Sequence, residues 1–345
     1  MLKSKHVLFV SIIMVAAFIL SACAAAATPT AAPVMTTEAP KPTEVVPTPT
    51  LDPNDPANVT GDIVSAGSST VYPLSEAVES LFESEGYTGQ HTIASVGTGG
   101  GFERFCKTGE TDIANASRKI KDTEVEACKA INRTPIAFRV GTDAIAVVVS
   151  KGNTFLTNVT TEELGKIFAS DAKKWSDVNP SWPAEDILRF TPGTDSGTFD
   201  FFNEVIVQKP QKLATLDEAK ALTLAVRNLQ TSEDDNVLVQ GVEGSPYAIG
   251  YFGYAYFNEQ SANLKALSVD GIEPSFNSAE DGSYKLSRPL FIYSDANILK
   301  SKPQVAAFIN FYLNRVNEVI GKVGYFPASD AALAESKTAL EAALK

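Results

Sequence analysis

Between Thr191 and Phe202 the chain reads TPGTDSGTFDFF, which sets the short polar side chains of Asp195, Ser196 and Thr198 around Gly193 and Gly197. Phe199, Phe202, Val205 and Ile206 follow at helical spacing, so the stretch predicts a tight loop opening a helix. Hydroxyls and free backbone N–H groups then sit at the positive helix end, which attracts anions. Two further stretches repeat the device. Gly67-Ser68-Ser69-Thr70 precedes an apolar face of Leu74, Ala77, Val78, Leu81 and Phe82, and Gly97-Thr98-Gly99-Gly100-Gly101 precedes Phe102 and Phe105. One glycine loop reads as an ordinary turn. Three with hydroxyls predict helix ends converging on a single anion.

Other chemistries lack their residues. Asp195-Ser196-Gly197 resembles the surroundings of some nucleophilic serines, but such a serine needs a base, and His91 is the only histidine beyond the N-terminal segment. His91 reads as a packing or surface residue, and no catalysis is expected. No GxxxxGK[ST] phosphate loop is present, and Gly97–Gly101 lacks the GxGxxG spacing of a dinucleotide site. Neither a metal nor a cofactor is expected, since one histidine and few cysteines make a poor ligand set.

The elements that must position these loops alternate. Strands are predicted over 62–66, 92–96, 112–116, 135–149, 187–190, 247–257 and 286–293. Helices follow the three loops, the Thr160–Glu163 capping box, Asp234 and the segment Ser301–Gln304. Alternation of this kind predicts an α/β fold with ligands at the C-terminal ends of strands. The chain has 345 residues and a net charge of −12, which argues against nucleic acid and anionic lipid as partners. A site built of dipoles and one cation can still hold an anion locally.

The N-terminus carries an address. Lys3 and Lys5 precede an apolar run, Val7–Leu20, too short for an ordinary span of about 20 residues. It ends in Leu20-Ser21-Ala22-Cys23, which resembles the lipobox of bacterial lipoproteins. The expectation is a leader over 1–22, lipid on Cys23 and attachment to the outer face of a membrane through that lipid. Residues 23–59 are rich in Thr, Pro and Ala and predict a disordered tether. With Cys23 lipidated, Cys106 and Cys128 remain as a disulfide pair for an oxidising compartment. The closed loop is worth about 3 kcal/mol by chain-entropy reasoning.

The motifs GSSTVYPLSEAV, VGTGGGFERFC, DIANASRKIKDTE, PGTDSGTFDFF and DDNVLVQG…AIGYFGYAYF, in this order, resemble the phosphate-binding proteins of high-affinity phosphate ABC importers. The resemblance implies a two-lobed periplasmic-binding-protein fold of the second type, with inorganic phosphate in the interlobe cleft and a membrane permease as partner. Lobe one would comprise 60–139 plus 256–345, and lobe two 140–255. By motif, Ser69, Thr70 and the N–H of Val71, then Thr98 and Gly99, then Ser196, Gly197 and Thr198 would contact the anion. Arg118 stands where many members have Asp, and Pro192 about where many have Arg. Arg118 is therefore expected to supply the charged contact, and Asp195 to accept the phosphate proton, to hold Arg118, or simply to cap its helix. Another oxyanion, such as sulfate or molybdate, is the alternative ligand; a surface hydrolase or an adhesion module are the alternatives of other classes.

Overall fold

The structure, a computed structural model, describes residues 52–345 apart from residue 261. The expected leader, Cys23 and the tether up to residue 51 lie outside the described residues. The folded part begins earlier than expected: Asp55 caps a short turn at Pro56–Asn58, and Val59 is buried in the core.

Eleven strands are present among the described residues: β1 Ile63–Gly67, β2 His91–Ser95, β3 Ile113–Ala116, β4 Pro135–Ser150, β5 Asn158–Val159, β6 Leu188–Pro192, β7 Leu229–Ser232, β8 Ala248–Gly253, β9 Leu264–Ala266, β10 Ser268–Val269 and β11 Ser287–Asp295. Nine of them form one sheet in the order β2-β1-β3-β11-β4-β8-β6-β7, with β9 added on β4. Its two ends are parallel, β1 with β2 and β3, and β6 with β7 and β8. The middle is antiparallel, where β11 and β8 flank β4. The long β4 belongs to both halves, and every residue from Val140 to Ser150 is buried and most are apolar, as expected for a strand covered on both faces.

The core divides with β4. Val140 and Phe138 pack with Ile63, Leu74, Phe82, Leu290 and the C-terminal helices Pro303–Arg315 and Asp330–Leu344. Ile145, Val147 and Val149 pack with Leu164, Phe168, Trp175, Phe199, Phe202 and Tyr251. Leu267, Val269, Tyr284 and Leu286 join this second group, although the sequence expectation gave 256–345 to lobe one. The stretch expected to run as β structure to residue 257 ends at Gly253 and turns into a helix, Tyr254–Gln260. It is β11 that returns the chain to the first half, pairing with β4 from Ala144 back to Pro135, while residues 145–149 pair with β8.

Local signals behave as physical chemistry requires. Thr160 and Glu163 form the expected capping box, Glu163 N–H donating to Thr160 Oγ1 at 3.1 Å and Thr160 N–H to Glu163 at 2.9 Å. Ser301 does not cap the late helix but ends the short one before it, and Pro303 opens the next. Cys106 and Cys128 form the expected disulfide. It ties the helical segment after the second glycine loop to the helix Asp122–Ala130.

Candidate functional site

All three glycine loops follow the C-terminal end of a strand: β1 leads to Ser68–Thr70, β2 to Gly97–Gly101 and β6 to Gly193–Gly197. Gly67 is required there, because it has φ +152° and an added Cβ would lie 2.0 Å from the carbonyl oxygen of Asn115 on β3. Thr70 N–H donates to Ser68 Oγ at 3.2 Å, and Thr198 N–H donates to Ser196 Oγ at 3.2 Å. Ser196, not Asp195, is thus the helix cap. The third loop reaches the first directly: a Cβ on Gly197 would stand 2.8 Å from Thr70 Cα. Only glycine permits that approach.

Arg288 occupies the centre, a residue absent from the sequence expectation. It lies on β11 directly opposite Asp143 on β4, and its Nε donates to Asp143 Oδ2 at 3.0 Å. That leaves both terminal nitrogens for the cleft. Nη2 donates to Thr70 Oγ1 and, at 3.0 Å, to the carbonyl of Gly197; Nη1 approaches Ser117 Oγ at 3.4 Å. The guanidinium lies 3.9 Å from the ring centroid of Phe201. Thr98 Oγ1 accepts from Ser117 N–H and adjoins its hydroxyl, both at 3.2 Å. Asp143 is fully buried, and its Oδ1 has no hydrogen-bond partner. Burial pushes its carboxyl above the ordinary range while Arg288 works against the rise.

Arg118 stands differently from its expected role. Nη1 and Nη2 donate to the two carboxylate oxygens of Glu124 at 2.9 and 2.7 Å. The fork is used up on its own lobe, although the side chain still borders the cleft beside Thr98 and Gly99. Asp195 does not hold Arg118: it is exposed, and its N–H donates to Glu233 at 3.2 Å. The carboxylate closer to the centre is Asp200, which accepts from Ser69 Oγ at 3.4 Å and pairs with Lys220 at 2.5 Å. The structure therefore sets Thr98 and Gly99 on one cavity of the cleft and Ser196, Gly197 and Thr198 on another, with Ser69 lining both and with Thr70 and Val71 buried, Val71 as the first residue of its helix. Sequence reasoning missed Arg288, Asp143 and Asp200. The signal was present: Asp143 is a lone carboxylate inside a run of buried apolar residues, which demands a cationic partner.

His91 lies away from the cleft, bonded to Ser65 Oγ at 3.0 Å and edge-on to Phe308. Burial lowers its pKa to about 4, so it is a neutral packing residue. Among the described residues no group of histidines, cysteines and carboxylates could hold a metal ion.

Residues 46–316 match the model of the PBP superfamily domain. Protein SphX of Synechococcus elongatus is 42% identical over 289 residues, which is 81% of either chain. A phosphate-binding protein PstS of Staphylococcus saprophyticus is 34% identical, covering 80% of this chain and 84% of that protein. This chain belongs to the phosphate-binding protein family. The crystal structure of a possible phosphate binding protein from Planctomyces limnophilus superposes with a TM-score of 0.77 at 40% identity, covering 84% of this chain and all of that one. The fold is accordingly the two-lobed α/β architecture of this solute-binding family. Among the described residues no helix is long and apolar enough to cross a membrane.

Proposed function

We propose that this protein captures inorganic phosphate in the interlobe cleft and delivers it to the permease of an ABC importer. One observation carries the reading. Arg288 spends only Nε on Asp143 and turns two terminal nitrogens toward the Thr70 hydroxyl of the first loop, the Gly197 carbonyl of the third and the Ser117 hydroxyl. A tetrahedral dianion offers acceptors for such donors on every side, and charge-assisted bonds of this kind are the strong ones. Ser69, Thr70, Thr98, Ser117, Ser196 and Thr198 supply the neutral donors, with the N–H groups of Val71, Gly99 and Gly197. The lobes are about 55–140 with about 288–345, and about 144–286, joined where β4 and β11 run side by side.

Monohydrogen phosphate carries one proton that sulfate lacks. Asp200 borders the cleft, whereas Asp195 is exposed, so the acceptor role assigned to Asp195 from sequence moves to Asp200. The reading is of a binder rather than a catalyst, supported by membership of a solute-binding family and by His91 being bonded to Ser65 and buried away from the cleft. It works outside the cytoplasm, held to the membrane by lipid on Cys23. Calorimetry of the folded protein against phosphate, sulfate, arsenate and molybdate tests the reading: tight phosphate binding with weak sulfate binding is expected, and equal affinities overturn it.

A further inference from the structure

The contact of Thr70 and Arg288 with Gly197 divides the cleft into two cavities of about 620 and 900 Å³. Ser69 and Asp200 line both, so the wall between them is one side-chain pair thick. The two cavities carry opposite charge. Five cations border the smaller one, Arg118, Lys119, Lys209, Lys285 and Arg288, against the carboxylates of Asp200 and Glu204. Five carboxylates border the larger, Glu76, Asp195, Asp200, Glu233 and Asp235, against Lys322 alone. Both reach solvent, because Lys119, Lys209 and Lys285 on one side and Thr194, Asp195 and Glu233 on the other are exposed.

We propose that phosphate enters and leaves through the smaller, basic cavity, and that the acidic cavity is a closed door to anions. The inference rests on phosphate as the ligand and adds the route by which it travels. It matters because the protein as a whole carries a charge of −12, which repels a dianion from most directions. A low-dielectric cleft lined by one sign of charge focuses the local field and raises the association rate of the opposite sign. Some of the five cations have partners: Arg118 has Glu124, Lys285 has Asp270, Lys209 has Glu204 and Arg288 has Asp143. Lys119 has no ion-pair partner among the described residues and stands exposed at the rim. It is the residue whose charge an arriving anion meets unshielded. On the acidic side burial, and then Asp234 and Glu233, raise the Asp235 carboxyl to about 6, and it remains mostly charged at neutral pH.

Rapid-quench capture of radiolabelled inorganic phosphate by the folded protein, at low and at high salt, tests the route. Lys119→Glu should slow association about three- to tenfold at low salt, with the deficit shrinking as salt screens the field. Its dissociation rate should stay within twofold, since Lys119 stands exposed at the rim and is not among the donors assigned to the anion. Glu76→Lys, an equal and opposite charge change on the acidic side, should alter association by less than twofold. Faster association in Glu76→Lys than the loss in Lys119→Glu, or a Lys119→Glu rate equal to wild type, overturns the route. Calorimetry of the same wild-type preparation separates the two readings: no phosphate affinity sinks ligand and route together, whereas normal affinity with indifferent rates sinks the route alone.

Discussion

Two arginines flank the cleft in outwardly equivalent settings, each lying over a phenylalanine and each paired with one carboxylate. Arg118, 5.6 Å from the centroid of Phe102, gives both terminal nitrogens to Glu124 in a closed two-point fork. Arg288, over Phe201, gives Asp143 only its Nε. The side chain of Arg118 is 32% exposed and that of Arg288 10%. A guanidinium has donors on two edges. When the carboxylate takes the terminal edge, the arginine becomes a clamp within its own lobe; when it takes Nε, the terminal edge is turned into the cleft, where it meets Thr70, the Gly197 carbonyl and Ser117. Residue type and partner type are the same in both cases, and the edge decides the role.

The largest effect should come from the carboxylate beneath Arg288. Asp143→Ala leaves a buried cation without its partner and should destabilise the fold by about 3–5 kcal/mol. Urea unfolding checks this, and a loss under 1 kcal/mol would show that Arg288 finds other compensation.

Arg288→Ala should come next and act on affinity. Removing one charged partner of a desolvated anion costs about 2–5 kcal/mol, or some 30- to several-thousandfold in Kd. Phosphate calorimetry reads it directly. A variant within threefold of wild type would erase the contrast between the two arginines.

Glu124→Gln should be milder, because a partly exposed pair is worth at most about 1 kcal/mol. Its pH dependence identifies it. Burial pushes the Glu124 carboxyl up, but the bonds from Arg118 and from Lys121 N–H together outweigh this and leave it below 4.5. The unfolded chain therefore takes up the proton first as acid is added. The pair's contribution is intact above about pH 4.5 and is lost as pH falls through the lowered value. Wild type should lose stability over that window faster than Glu124→Gln; parallel acid limbs would remove Arg118–Glu124 as a stabilising pair.

Arg118→Ala should show the smallest change, with phosphate affinity within about threefold of wild type, or under about 0.7 kcal/mol. Equilibrium calorimetry decides it. A loss of a hundredfold would mean that the Glu124 fork opens when phosphate arrives, and Arg118 would regain the part that its sequence position suggested.

Much of this molecule follows from local sequence. Glycine loops after strands, hydroxyls at helix starts, the Thr160–Glu163 box and the pairing of Cys106 with Cys128 depend on neighbours a few residues apart or on simple counting. The alternation of strands and helices gives the α/β class in the same way. The lobe boundary was less legible, because residues 264–286 show their allegiance only by packing on Trp175, Phe202 and Tyr251.

The charged centre belongs to tertiary structure alone. Arg288 and Asp143 lie 145 positions apart and meet because β11 runs antiparallel to β4 in a register that sets them face to face. A sequence shows that an aspartate inside a buried strand needs a cation, since an unpaired charge cannot stay there. It does not show which cation. Arg118 stood inside a matched motif in place of its usual Asp, yet Glu124 lay six residues away and reached it first; Arg288 lay outside every motif, and only the folded sheet brought it to the first and third loops and Ser117.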